Sequence, residues 1–143
     1  MNNIERAKEI VRRLWNQADL ESIDDLVSPD VIIKSPVKSG QGSNILSEVV
    51  LYWRRAFPDV KSQWLSAEEI EPGKVVVKWE AHGTHTGAAF FEVDSFGRLV
   101  DYAGETTYVF QDGKLSAYEA KVNIDDILQQ LKPTNQLTSN QDF

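Results

Sequence analysis

KVVVKWEAHGTHT, residues 74–86, alternates apolar and polar side chains with the period of two that is typical of a β-strand. Val75, Val77, Trp79 and Ala81 fall on one face of this strand, and mostly polar residues fall on the other. The stretch therefore predicts a strand with one face turned toward a core.

Further strands are predicted on both sides of this one. Residues 60–70, 99–110 and 114–122 favour strands, and the Asp112-Gly113 step predicts a hairpin turn between the last two. Before residue 58 the apolar residues instead recur at helical spacing. The period at which apolar residues recur thus changes from about 3.6 to 2 near the middle of the chain.

Helices are predicted at 4–14, 19–26, 45–57 and 123–131, the first with a capping box at Asn2. Helices followed by hairpin-linked strands imply an α+β fold, in which the helices pack on one face of a bent antiparallel sheet. That is the limit of what periodicity establishes.

The domain organisation is expected to be simple. Residues 1–132 are predicted to form a single domain, and the polar stretch 133–143 a frayed tail. A short strand is expected at 31–34, with Ser28-Pro29-Asp30 as a break before it.

Composition excludes several classes of function. The 143 residues carry a net charge of −7 without a basic stripe, which argues against nucleic acid binding. There is no cysteine, so disulfides and thiolate chemistry are excluded. No apolar run is long enough to span a bilayer, and no secretory signal is visible. A cytoplasmic protein with no membrane partner is the expectation.

The turn motifs, taken together in their order and spacing, resemble those of the SnoaL-like polyketide cyclases of the nuclear-transport-factor-2-like superfamily. The resemblance runs from about residue 3 to 132. It is carried by Pro29-Asp30, Gly40-x-Gly42, Ala56-Phe57-Pro58-Asp59, Gly83-Thr84-His85-Thr86-Gly87, Gly97-Arg98, Gly104, Asp112-Gly113-Lys114-Leu115 and Leu128-x-x-Leu131.

The resemblance implies a cone-shaped, cystatin-like fold. In it, a curved antiparallel sheet packs on three to four helices from the N-terminal half and a short C-terminal helix. It also implies an apolar pocket at the open end and a homodimer through the sheet. Family activities include ring closure on a polyketide ester by aldol chemistry, with no cofactor and no metal.

The resemblance implies that the family's catalytic aspartate falls at Asn123 in this sequence, and an amide cannot serve as a general base. In one interpretation Glu119 or Glu105 replaces that base, with Lys34, Lys121 or His85 polarising a carbonyl. In the other, Glu119 and Lys121 form an exposed cross-strand polar row.

Four further residues are candidates for the site. Asn123 and His85 each have a functional and a structural interpretation, and two tryptophans are candidates for the pocket wall. Asn123 is either the N-cap of the last helix or an amide that binds substrate. His85 is either catalytic or a hydrogen-bonded structural residue. Trp53 and Trp79 are expected to line the cavity, and the presence of only two histidines argues against a metal site.

The expected function is a small-molecule pocket protein. We favour a cofactor-independent polyketide-cyclase-like enzyme with an altered active site, acting on a small apolar or carbonyl-bearing compound. The alternatives are a binding protein that kept the cone but lost the base, and a dimerisation module with a filled pocket. An inward-facing carboxylate is the feature that distinguishes the first from the second.

Overall fold

The computed structural model describes residues 1–132, so the predicted tail at 133–143 lies outside the described residues. The elements confirm the mixed α+β class. They are α1 Asn3–Ile10 with a wider helical turn at Val11–Asn16, a short 3-10 turn at Leu20–Ser22, α2 Ile23–Leu26, β1 Val27–Lys34, β2 Gly40–Gln41, α3 Ser43–Ala56, β3 Lys61–Glu71, β4 Lys74–His85, β5 Arg98–Gln111, β6 Lys114–Val122 and α4 Ile124–Leu131.

The six strands form one curved sheet in the order β2-β1-β6-β5-β4-β3. Strands β3 to β6 are antiparallel neighbours, as the hairpin pattern predicts. The pair β1–β6 is parallel, which the expectation of a purely antiparallel sheet did not include. Parallel neighbours need a long connection, and α3 with the three following strands supplies it.

Strand β1 begins earlier than the sequence predicts. Ser28-Pro29-Asp30 was expected to precede the strand, whereas β1 starts at Val27, which pairs with Leu115. The register then shifts before Ile32, so the proline occupies the irregular part of the pairing. A proline has no N–H to donate, and a bulge tolerates that loss.

Each long strand has one face toward the helices, called the inner face, and an opposite outer face. On β4 the inner face carries Val75, Val77 and Ala81, all buried, as the alternation predicts. Residues of the outer face, such as Lys78 and His82, are exposed. The core lies between the inner face and the helices α1 and α3.

Side-chain hydrogen bonds fix the start of α1 and the position of α4. The Asn2 side chain accepts from the Glu5 N–H at 2.8 Å, and the Glu5 side chain accepts from the Asn2 N–H at 2.8 Å, which confirms the predicted capping box. At the other end of the chain, the Gln130 amide bonds both backbone groups of Asp101, at 2.8 and 2.9 Å. These two bonds attach α4 to β5 beyond the point where β6 ends.

Candidate functional site

A cavity lies between the inner face of the sheet and the helices. Its accessible volume is about 80 Å³, and its mouth is partly open to solvent. Its walls are Val11, Trp15, Asn16, Pro36, Val49, Trp53, Val60, Ser62, Trp64, Trp79, Ala81, Tyr102, Thr106, Tyr108, Tyr118, Ala120 and Val122.

All four tryptophans of the sequence line this one cavity. Trp53, from α3, stacks on Tyr102 with ring centroids 5.4 Å apart, and Trp79, from β4, meets Tyr102 edge-on at 5.9 Å. The structure therefore places Trp53 and Trp79 in the cavity wall. A role for them in binding substrate is still a prediction.

The Trp79 indole is positioned by the strand beside it. Trp79 pairs with Gly104 on β5, and its Nε1–H donates to the Thr106 hydroxyl at 2.9 Å. A β-carbon at residue 104 would overlap the indole and would lie 2.8 Å from the Lys121 carbonyl oxygen. Glycine is therefore required at 104 for the indole to cross β5 and reach Thr106.

Three tyrosines give the cavity neutral hydroxyl groups. Burial raises the pKa of Tyr102 and of Tyr108, and the neighbouring Tyr118 raises the pKa of Tyr108 further. Burial also raises the pKa of Tyr118, and the Thr106 side chain partly offsets that effect. Because unfolded tyrosine ionises near pH 10, the stability that these side chains contribute is present below about pH 10. It is lost as the pH rises through their raised pKa values.

The cavity wall carries no formal charge in the part of the chain that the structure describes. None of the lining side chains is a carboxylate, lysine, arginine or histidine. Within residues 1–132 there is also no cluster of three or more acidic or histidine side chains that could hold a metal ion. No helix in the same residues is long and apolar enough to cross a membrane.

Comparison with known proteins identifies the family. The family model for the SnoaL-like polyketide cyclases matches residues 5–131. The chain belongs to this family. A search of curated proteins finds no match to the chain.

Several solved structures share the fold. AclR from Streptomyces galilaeus, proposed to be a hydroxylase, is 25% identical with a TM-score of 0.77, over 90% of this chain and 94% of AclR. A protein from Jannaschia sp. CCS1, assigned as a SnoaL-like polyketide cyclase, reaches a TM-score of 0.82 at 16% identity, over 92% and 93% of the two chains. IdmH from Streptomyces antibioticus, proposed to be a polyketide cyclase, has a TM-score of 0.78 at 19% sequence identity, over 92% of this chain and 99% of IdmH.

Glu105 and Glu119, the carboxylates predicted to replace the SnoaL-like aspartate, lie outside the cavity. Glu119 falls between the wall residues Tyr118 and Ala120 on β6, and Glu105 precedes the wall residue Thr106 on β5. Because successive side chains of a strand point to opposite faces, both carboxylates lie on the outer face. This position corrects the expectation of an inward-facing carboxylate.

Lys34 and Lys121 lie on the same outer face as the two glutamates. Glu119 is paired with Lys34 of β1, and Glu105 is paired with Lys121 of β6 and with Lys78 of β4. The structure therefore brings four of the predicted site residues together, but on the outer face of the sheet. Their arrangement fits the cross-strand polar row, which stabilises a sheet by tenths of a kcal/mol per pair.

Asn123, which the sequence resemblance places at the family's aspartate position, is the N-cap of α4. Its side-chain oxygen accepts from the Asp126 N–H at 3.1 Å, and the residue is exposed. The capping role predicted from sequence is confirmed. A role in binding substrate is not tested by this contact, and Asn123 is absent from the cavity wall.

His85 is fully buried at the end of β4 and does not line the cavity. Its Nε2 lies 2.8 Å from the Ala88 carbonyl oxygen, which can only accept, so Nε2 carries the proton. Its ring packs 5.3 Å from that of Phe57, and its Nδ1 has no hydrogen-bond partner among the described residues. This position supports the structural interpretation of His85.

The sequence interpretation missed the polar groups that do face the cavity. Thr106, Tyr108 and Tyr118 were left out, although they share strand parity with buried residues such as Tyr102. On β6 the alternation of Tyr118, Ala120 and Val122 marks the inner face. That signal was available in the sequence.

Proposed function

We propose that this SnoaL-like protein binds an uncharged, ring-containing carbonyl compound among its tryptophans, with no carboxylate acting as a base inside the cavity. The observation that carries the proposal is the absence of any charged side chain from the described cavity wall. The sequence favoured an enzyme over a binding protein, and an inward-facing carboxylate was the feature expected to distinguish the two. Because the described wall contains no carboxylate, we now favour the binding protein.

The chemistry of the wall supports an uncharged ligand. Four indole rings and three phenol rings offer apolar surface and flat faces on which a ring system can stack. A charged ligand would lose its hydration without gaining a partner of opposite charge, which is strongly unfavourable in an apolar site. A carbonyl oxygen would instead meet neutral hydroxyl donors.

A second candidate is a cofactor-free cyclase that works without a carboxylate base. The neutral phenols of Tyr102, Tyr108 and Tyr118 favour it, because donors held in an apolar site stabilise a developing enolate. Such an enzyme would act by holding a flexible substrate folded for attack. Turnover of a cyclisable ester distinguishes this candidate from the binding protein.

The outer-face glutamates are expected to be dispensable for binding. In a Glu105→Gln, Glu119→Gln double variant, the affinity for 9-fluorenone should stay within about two-fold of the wild type, since neither side chain reaches the ligand. Quenching of the cavity tryptophans measures this affinity. An Ala120→Phe variant is the matched control, because it changes the neighbouring inner-face residue and should weaken binding by about ten-fold or more.

A loss of affinity in the double variant, with Ala120→Phe unaffected, would contradict the assignment of the inner face as the binding face. A failure of the wild type to bind 9-fluorenone or any related ketone would contradict the proposal as a whole. Circular dichroism of each variant controls for loss of fold.

We also propose that the protein forms a homodimer through the outer face and is located in the cytoplasm. The outer face carries an apolar row, Val109–Ala117–Ile32, next to the row Val76–Thr107–Glu119–Lys34. Apolar groups flanked by mixed charges suit a self-complementary two-fold contact. The lack of cysteine is compatible with a reducing compartment.

Light scattering after size exclusion tests the dimer. The wild type is expected at twice the chain mass of 16.2 kDa, and Ala117→Arg is expected to shift it to the monomer, because a buried unpaired cation disfavours the contact. A wild-type monomer would contradict this proposal and leave the binding proposal unaffected.

A further inference from the structure

The mouth of the cavity is lined by different side chains from its interior. Three wall residues, Asn16, Pro36 and Ser62, are exposed, whereas the other wall residues are buried or half-buried. A wall residue that is also exposed to solvent lies where the cavity opens. Among the described wall residues Asn16 is the only carboxamide, a group that both donates and accepts hydrogen bonds.

Asn16 reaches this mouth because of the wide helical turn at Val11–Asn16. Val11, Trp15 and Asn16 all line the cavity, although Asn16 follows Val11 by five residues. In an α-helix of about 3.6 residues per turn, a residue five positions further on lies roughly 140° around the axis and faces away. A turn closed by hydrogen bonds between residues five apart is wider, so the fourth and fifth residues share one face. Such turns are rare and occur often at functional sites.

Backbone and side-chain bonds hold the end of the wide turn on both sides of Asn16. The Gln17 N–H donates to the Arg12 carbonyl, five residues earlier, at 3.1 Å. From α3, the Arg54 side chain donates to the Trp15 carbonyl at 2.6 Å. Because α3 also contributes to the aromatic wall, this second bond fixes the backbone beside Asn16 relative to that wall.

We propose that the Asn16 amide recognises a hydroxyl substituent of the ligand at the cavity mouth, and that Arg54 is a positioning residue that holds the wide turn. The ligand then has two ends, an apolar ring system among the tryptophans and a hydroxyl group at the opening. A hydroxyl suits an amide because it can donate to the amide oxygen or accept from the amide N–H. This inference rests on the proposed function, because it names the substituent that the same cavity selects.

The experiment compares 9-fluorenone with its four monohydroxylated isomers, which place a hydroxyl at each distinct position of the same ring system. Each compound is titrated against tryptophan fluorescence in the wild type and in Asn16→Leu. The wild type is expected to bind at least one isomer about five-fold more tightly than the parent ketone, as one added hydrogen bond allows. Asn16→Leu, which has nearly the same size but no polar group, is expected to abolish this preference.

Three further variants separate the amide from its surroundings. Gln17→Leu is the matched control, because Gln17 is an exposed amide next to Asn16 that does not line the cavity, and the preference should persist. Arg54→Leu is expected to lower the preference about three-fold. Arg54→Lys keeps a donor for the Trp15 carbonyl and should restore most of it.

The ratio of the affinities for hydroxylated and parent ketone separates recognition from structure. An unchanged ratio in Asn16→Leu would overturn the inference, and so would a wild type that favours no isomer over the parent. Equal weakening of all the compounds by Arg54→Leu would overturn its positioning role. If no compound bound the wild type, the proposed function itself would fail, which is distinguishable from these results.

Discussion

A Gly87→Ala variant is expected to lose about 3 kcal/mol or more of its free energy of unfolding, in the upper range for overpacking. A β-carbon at residue 87 would overlap the carbonyl oxygen of Arg55 at the end of α3. That oxygen belongs to the backbone and accepts from the Ala88 N–H at 2.7 Å, while the Gly87 N–H donates to Ala56 at 3.2 Å. The clash cannot be relieved by a rotamer change, so the contact between α3 and the segment after β4 must open.

Urea denaturation of the wild type and the variant measures this loss. Gly97→Ala is the matched control in the same connection between β4 and β5. Residue 97 has a φ of +72°, and a β-carbon there would have no atom within 4 Å, so alanine meets only backbone strain of about 1–2 kcal/mol. Equal losses in the two variants would contradict the close approach of Gly87 to α3.

Phe90→Ala is expected to destabilise the protein by about 3–5 kcal/mol. Phe90 is fully buried, and its ring lies 4.9 Å from that of Trp53, 5.2 Å from Phe57 and 5.6 Å from Tyr52. Truncation would leave a cavity beneath the α3 residues that hold Trp53 in the cavity wall. Ligand affinity is therefore expected to fall together with stability.

Phe96→Ala provides the comparison for Phe90→Ala, because it removes the same side chain from the same connection. Phe96 is 58% exposed, so its loss should change the free energy of unfolding by less than about 0.5 kcal/mol. Thermal unfolding of both variants checks the contrast. Comparable destabilisation by the two changes would contradict the placement of Phe90 in the core.

The order of helices and strands could be predicted because each has a local signal. The alternation at 74–86, the Asp112-Gly113 turn and the Asn123 cap all depend on residues close in sequence, and all three are found in the structure. The family resemblance added the curved shape of the sheet, which periodicity does not encode. Strand order was harder to predict, since the parallel pairing of β1 with β6 joins residues about 85 positions apart.

The sequence left open which face of the sheet lines the cavity, and the candidate glutamates and lysines lie on the outer face. Alternation correctly grouped Glu119 with Lys121 and Glu105 with Thr107, but it does not by itself say which group faces the helices. The resemblance placed the family's aspartate at Asn123, which shares strand parity with Glu119 and Lys121 of the outer-face group. The apolar members of β6, from Tyr118 to Val122, point to the other face and mark the cavity.

The uncharged cavity is expected to bind an uncharged ligand, and the pH dependence of the affinity is the measurement that checks this expectation. The affinity of the wild type for 9-fluorenone should be constant between about pH 5 and pH 9, because burial keeps the cavity tyrosines neutral well above that range. A change of about ten-fold with a midpoint inside that range would contradict the proposed uncharged binding site, since it would reveal a titrating carboxylate or histidine at the ligand.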